Sequence, residues 1–530
     1  MTSRVVENAA GLRVTLNANA SVARIDHGDI MLNLLRGNAL EGGPSNIYLR
    51  KLGGTPDVIA LLGPRSVSRL EDNATQFALR GQWQGITYRL SLCLAVDTPS
   101  WFWHLDLCNA SSTTVTVDLI YSQDFGLAQY NFTRTSEFFA SQYLDHTPLF
   151  DAQHGRVLAV RQNLVMGGRH PWCLVASLHR AVSYATDGLQ FHGLASRTGE
   201  MPTALADGLP GMRLQHEYAL ACLQDAPLTL APGQHAARGF VGHFEADHPH
   251  ASSARDLACL PALRHSAAAH TTVFSTPNAS TLALCTSLFT SAPLFAALSR
   301  PLQTFTSEYG AALIEEKRGS ETLASFHAGD VHAVSRRKEQ EVQRPHAQIL
   351  RTGLALVPDE GALTSTAWMG GIFNSLLTQG HVGINRLLSS NRGHLSQFRA
   401  LGQRIFVEQD GAWRLLDQPS AWLVTPHECR WCYRSTTMDV DITTRALEHS
   451  HRIELDISIL RGPASRFLIT HHIALDDDDG ADAGAVDFTH NGADVVVRAH
   501  SGSAVGTRFG QHGFRLRALP GTVIESCGGD

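Results

Sequence analysis

Two loops carry side chains whose types suit a polar ligand. Gly167-Gly168-Arg169-His170-Pro171-Trp172 sets two glycines before a guanidinium, an imidazole and an indole. The glycines let the backbone turn sharply, so Arg169, His170 and Trp172 can be presented together, the first two hydrogen-bonding hydroxyls and the indole stacking on a sugar ring. The plainer reading is a tight turn with a surface arginine. Farther along, Thr364-Ser365-Thr366-Ala367-Trp368-Met369-Gly370-Gly371 and Thr378-Gln379-Gly380-His381-Val382-Gly383-Ile384-Asn385-Arg386 crowd hydroxyl, amide and guanidinium donors around glycines. Trp368, Gln379, His381, Asn385 and Arg386 are the candidates there, for sugar hydroxyls or for an oxyanion such as phosphate. Polar loops also use such residues to satisfy their own backbone.

Other chemistry has less support. The sequence holds no GxSxG elbow, P-loop, GxGxxG after a strand or HExxH, so hydrolase triads, nucleotide binding and zinc proteolysis have no motif. Cys429 and Cys432 form the one CxxC, without a second pair at zinc-site spacing, and neither a metal nor another cofactor is expected. The 27 histidines are scattered, and adjacent His471 and His472 in a strand would point to opposite faces. The same alternation weighs against His216 and Glu217 as an acid–base pair for anomer interconversion. Asp145, Asp359, Glu360 and the run Asp476–Asp479 are carboxylates with no evident pairing, and the run reads as a solvated loop. Most of the eight tryptophans are expected to be core aromatics.

The elements that must position these residues are mostly strands. Ile86, Tyr88, Leu90, Leu92, Leu94 and Val96 alternate with more polar residues, giving a half-buried strand. Leu105 and Leu107, then Val115, Val117 and Leu119, repeat that period on both sides of Asn109-Ala110-Ser111-Ser112, which reads as a hairpin loop in an antiparallel meander. Residues 252–269 and 279–318 switch to Ala, Leu and Ser with spacing of three and four, which predicts helices. Strand patterning returns near residue 346 and includes a hairpin turning at Asp410-Gly411. The expected fold is mainly β: two large sandwiches, residues 1–250 and 346–530, joined by a helical linker over 251–345.

Composition narrows the partners. The chain has 530 residues, 43% hydrophobic and 17% charged, enough for several cores. Its formal net charge of -6 offers no global positive field for nucleic acid. No apolar run reaches the roughly 20 residues of a membrane span and no hydrophobic signal core follows Met1, so a cytoplasmic location with reduced thiols is expected.

Asn46-Ile47-Tyr48-Leu49-Arg50, Leu62-Gly63-Pro64-Arg65-Ser66, Ser141-Gln142-Tyr143-Leu144-Asp145-His146-Thr147-Pro148, the Gly167–Trp172 loop and the stretch from Thr364 to Arg404 resemble the N-terminal half of glycoside hydrolase family 94. The likeness is to the oligoglucan phosphorylases and to the phosphorylase-like part of cyclic β-1,2-glucan synthases, and it runs over nearly the whole chain. It implies supersandwich-like β domains, a helical linker, an (α/α)6 barrel and a C-terminal β domain. In that family an Asp on the barrel is the general acid, inorganic phosphate is the nucleophile and co-substrate, and the anomeric centre inverts. Residues after the second sandwich are too few for a barrel, so no catalytic residue is carried over to this chain. The expectation is the carbohydrate-binding portion of a β-glucan phosphorylase or glucosyltransferase, truncated or completed by a separately encoded catalytic barrel. A stand-alone carbohydrate-binding protein and a mutarotase-like aldose epimerase are the alternatives.

Overall fold

The computed structural model describes residues 3–71, 77–135, 137–215, 218–270, 280–354, 359–379, 398–473, 475, 486–502, 504–510 and 513–525. The chain divides into two compact units, Met1–Ser196 with Glu200–Ser291 and Arg197–Gly199 with Ala292–Asp530. Both are built mainly of antiparallel strands.

In the first unit, the alternation seen in the sequence forms strand Ile86–Leu94, which pairs with Ser100–Asn109 so that Trp103 lies opposite Leu92. Strand Ser100–Asn109 takes its second partner from far along the chain, His235–Glu245, with Trp103 opposite Phe240. The expected hairpin at residues 109–112 does not form. Strand Val115–Asp124 instead pairs with Asn46–Leu52 and Ala219–Asp225. Each of the two strands already has a neighbour on both edges, and each is buried on both faces. Trp101, Trp103, Leu105 and Leu107 therefore meet Val115, Val117, Leu119 and Tyr121 within one hydrophobic core instead of along one ladder. Asn109 shapes the crossover: its amide donates to the carbonyls of Thr113 and Leu230 while its oxygen accepts from the Ser111 N–H.

Two buried carboxylates fix this sandwich. Asp124 accepts from Asn33, Ser45 and the backbone N–H groups of Leu34 and Leu35 at 2.6–3.0 Å. Asp118 accepts both arms of the Arg50 guanidinium at 2.8 and 2.6 Å and the Gln224 amide at 2.7 Å. Asp124 is tolerated in the core by its four donors and Asp118 by its ion pair with Arg50, whose removal would leave a buried charge that costs about 3–5 kcal/mol.

The second unit contains a seven-stranded sheet running from Ile314–Arg318 at one edge to Ile453–Arg461 at the other. Along one edge Glu315, Glu316 and Arg318 pair with Lys317, Lys338 and Glu341. Along the other, Asp456 and Arg461 pair with Arg445 and Asp439. Trp422, Trp431 and Tyr433 project into the main core, whereas Ala421, Leu423 and Cys432 face a smaller cluster on the opposite side. Cys429 and Cys432 consequently point to different cores. Asp410 and Gly411 both have positive φ, 51° and 75°, and close the expected hairpin between Gln403–Gln409 and Ala412–Leu415.

The stretch 252–269 is helical in short pieces, Ala254–Cys259, Leu260–His265 and the start of Ala267–His270. The helices expected over 279–318 shrink to Leu288–Ser291, Leu302–Phe305 and Thr306–Tyr309, and strands Thr281–Ala283 and Ile314–Arg318 occupy its ends. Pro293 and Pro301 lack backbone N–H groups and Gly310 has a φ of 78°, so no long helix can run through the segment.

Candidate functional site

The loop chosen in the first sandwich comes apart as a site. Trp172 begins strand Trp172–Ser177 and is 1% exposed, packed with Phe102, Leu174, Val241, Leu260 and Leu263. Its indole N–H donates to Ser252 and its ring stacks on His248 at 4.9 Å and 12°. It has no face left for a ligand, which corrects the expectation of a presented indole. Its neighbours lace two chain segments together: His170 N–H donates to Asp247, His248 N–H donates to the His170 carbonyl, and Arg161 donates to the carbonyls of His248 and Pro249. Arg169 lies apart at the surface, its guanidinium 3.0 Å from Asp29, with 42% of the side chain exposed. The Gln129 amide donates to Asp29 and, with Arg169, holds that carboxyl below its ordinary range.

In the second unit, Trp368 and Gln379 lie toward opposite ends of one hairpin. Trp368 pairs with Ile372 and Gln379 with Leu363, five strand positions away, or roughly 17 Å. The Trp368 indole donates to Ser375 and its carbonyl accepts from Trp431. Gln379 is exposed. His381, Asn385 and Arg386 lie outside the described residues, as do His216, Glu217 and the Asp476–Asp479 run. Gly371, at φ 74°, lets its hairpin press on the Leu416 carbonyl, which an added Cβ would meet at 2.2 Å. Its role is close packing.

A different surface gathers the residues a saccharide would need. Two short helices, Tyr130–Thr135 and Glu137–Gln142, lead into strand Leu144–Asp151. Ala140 and Ser141 are buried, with the Ser141 hydroxyl accepting the Ala219 N–H and the Ala140 carbonyl accepting the Gln162 amide. The outward residues Phe138, Phe139 and Tyr143 stay 38%, 42% and 40% exposed. Phe139 meets Tyr143 edge-on at 4.9 Å and 64°, and Phe132 lies 5.8 Å behind it. Beside them the Gln215 amide donates to the carbonyls of Gln142 and Leu144, flanking Tyr143. Arg213 donates to Asp145 at 2.5 Å and to Gln215 at 3.4 Å. One strand position from Asp145, His146 is fully buried, and neither ring nitrogen has a partner among the described residues. Burial pushes its pKa down to about 3, with Arg213 adding to the effect, so it is neutral at working pH and suited to packing.

Sequence reasoning passed over this surface because it looked to tryptophan for stacking. The available signal was four rings within 12 residues, Phe132 to Tyr143, with Phe139 and Tyr143 at a spacing of four. Of the carboxylates read from the sequence, Asp145 pairs with Arg213 and Asp359 sits 2.9 Å from His451. Among the described residues, no group of three or more His, Cys, Asp or Glu could hold a metal ion, and no helix is long and apolar enough to cross a membrane.

Residues 15–241 match the SOGP N-terminal domain, and residues 309–524 match the glycoside phosphorylase supersandwich domain. A 1,2-β-oligoglucan phosphorylase of Listeria innocua serovar 6a is 26% identical over 479 residues, covering 88% of this chain. The chain spans 41% of that relative's length. Among solved structures, a polysaccharide lyase is 7% identical with a TM-score of 0.29, covering 85% of this chain and 46% of the lyase. A galactose mutarotase related enzyme from Lactobacillus acidophilus is 10% identical with a TM-score of 0.24, covering 47% of this chain and 100% of its own. Superpositions that loose carry no argument about activity.

Proposed function

Because the chain carries an SOGP N-terminal domain followed by a glycoside phosphorylase supersandwich domain, we propose that it is the saccharide-binding portion of a β-glucan phosphorylase or glucosyltransferase of the glycoside hydrolase family 94 type. The observation that carries this reading is the occurrence of both domains in order, aligned across 88% of the chain with a relative named for β-1,2-oligoglucan phosphorolysis.

In this reading the chain binds a β-1,2-linked gluco-oligosaccharide, and inorganic phosphate is the co-substrate of the complete enzyme. The proton donor to the leaving oxygen comes from an (α/α)6 barrel supplied outside these residues. The buried Asp118 and Asp124 are engaged with Arg50 and Asn33, and Asp145 and Asp359 pair with Arg213 and His451. A general acid must reach the leaving oxygen within hydrogen-bond distance, which the two buried carboxylates cannot do. Of the sequence-derived candidates, Arg169 and Gln379 keep exposure suited to a saccharide contact, whereas Trp172 supports the scaffold.

The test incubates the purified chain with β-1,2-gluco-oligosaccharides and inorganic phosphate, measuring glucose 1-phosphate and, in parallel, saccharide binding by calorimetry. Binding without release is expected. Glucose 1-phosphate from this chain alone would show that the acid lies within these residues, and absence of any saccharide binding would remove the reading.

A further inference from the structure

We propose that Phe139 and Tyr143, backed by Phe132 and flanked by Gln215, Arg213 and Asp145, form a stacking subsite for an uncharged gluco-oligosaccharide. The subsite rests on the reading above that the chain binds β-glucan, and it places that binding on one surface of the first unit.

Three features point to this ligand. The first is the cost of the surface itself. Phe138, Phe139 and Tyr143 are each about two-fifths exposed along one short helix and its exit, and contiguous exposed aromatics on a folded domain mark sites of use. The second is rigidity. Ser141 and Ala140 tie the inner side of the helix to Ala219 and Gln162. The Gln215 amide spans the carbonyls on either side of Tyr143, and the Tyr143 carbonyl itself accepts the Asn163 N–H at 3.0 Å. The rings are held in place before any ligand arrives, so little ordering cost falls on binding.

The third is the match between the two halves of the surface and the two chemistries of a pyranose. One face of a glucosyl ring is a sheet of C–H bonds that packs on an aromatic face, while its edge is a row of hydroxyls that both donate and accept. Here the edge-to-face pair Phe139–Tyr143 supplies the apolar platform. The Arg213 guanidinium, 45% exposed on its side chain, the Asp145 carboxylate and the Gln215 amide supply donors and acceptors beside it. The charges of Arg213 and Asp145 cancel, so the surface favours a neutral sugar over a phosphate or another polyanion.

The experiment titrates the full chain with β-1,2-gluco-oligosaccharides by calorimetry for the wild type, Tyr143→Ala, Phe139→Ala, Tyr143→Phe and Arg213→Ala, with thermal unfolding of each. Removing either ring is expected to weaken binding about tenfold, the scale of one lost aromatic contact. Tyr143→Phe keeps the platform and is expected to stay within about threefold of wild type. In saturation-transfer NMR on the wild type, irradiating aromatic protons is expected to reach the C–H protons of the sugar, a readout that needs no variant to fold. Wild-type binding that Tyr143→Ala and Phe139→Ala leave unchanged would overturn the subsite. So would a loss shared by all variants in proportion to unfolding together with no transfer from aromatic protons. The same titrations with β-1,3- and β-1,4-linked oligosaccharides separate the two proposals. Ring-dependent binding confined to another linkage keeps the subsite and removes the β-1,2 reading, whereas ring-independent β-1,2 binding does the reverse.

Discussion

Trp172→Ala distinguishes a scaffold tryptophan from a binding one. The side chain is 1% exposed, packs into the cluster of Phe102, Leu174, Val241, Leu260 and Leu263, and satisfies its indole N–H on Ser252. Truncating such a residue removes its transfer free energy and leaves a cavity, together worth about 3–5 kcal/mol. The Ser252 hydroxyl and the His248 ring lose a partner as well, which places the expected cost toward the upper end. For a unit of about 290 residues, at an unfolding entropy of about 2.1 cal/mol/K per residue, each kcal/mol lowers the midpoint by a little under 2 °C, so a drop of roughly 6–8 °C is expected in the calorimetric transition of the first unit. Saccharide affinity, measured well below that transition, should change by less than about twofold, because the indole has no exposed face. A midpoint within about 2 °C of wild type combined with abolished binding would refute the placement of this indole and restore it as a ligand contact.

Further outcomes follow from other placements. Asp124→Asn replaces an acceptor of four hydrogen bonds with a group that must also donate, and it should cost about 1–3 kcal/mol by urea denaturation without altering saccharide binding. Burial depresses the pKa of His146 and His192 to about 3 and of His179 and His243 to about 4. Near pH 7 they are neutral in both states. As pH falls below about 6.5 the unfolded chain takes up protons that the folded one refuses, so stability rises with pH between about 4 and 6.5. At pH 5 His146 alone costs about 2 kcal/mol, and His146→Leu should flatten that part of the stability–pH curve. Asp225, raised to about 7 by burial, acts oppositely between about pH 4 and 7, and Asp225→Asn should steepen the net rise. Gly371→Ala, which drives a methyl to 2.2 Å from the Leu416 carbonyl at positive φ, should cost the second unit more than 1 kcal/mol.

What could be read from the sequence was local. Ile86–Leu94 declares itself because apolar residues alternate with more polar ones, although both faces turn out buried, Leu90 and Leu92 in one core and Cys93 in another. Asp410-Gly411 declares itself because two consecutive positive-φ positions are costly for most residues. The partners of Ser100–Asn109 were not legible, since the pairing with His235–Glu245 joins residues more than a hundred positions apart. The leucines around 282–298 keep helical spacing but sit among prolines, and tertiary pairing turned Thr281–Ala283 into an edge strand opposite Arg69–Glu71. At the candidate site, Arg169 and Trp172 stand three residues apart in sequence and in different environments, because the residue type announces chemistry while the register decides exposure. The Phe139–Tyr143 surface was hidden for the converse reason: its aromatics look like core until the burial of Ala140 and Ser141 shows which side of the helix faces inward.

The seven-stranded sheet of the second unit ends in two strands that each expose one row of backbone donors and acceptors, a template on which another copy could extend the ladder. Glu315, Glu316, Lys317 and Arg318 guard one end, and Asp456 with Arg461 the other, by paired charges that a docking strand would have to desolvate. This protection is a desolvation cost, and ions in contact at 2.5–2.8 Å lie inside even the screening length of about 3 Å reached at about 1 M salt. The guard therefore persists in concentrated salt, and exposing these edges to another strand takes replacement of the charged residues themselves, not screening of them.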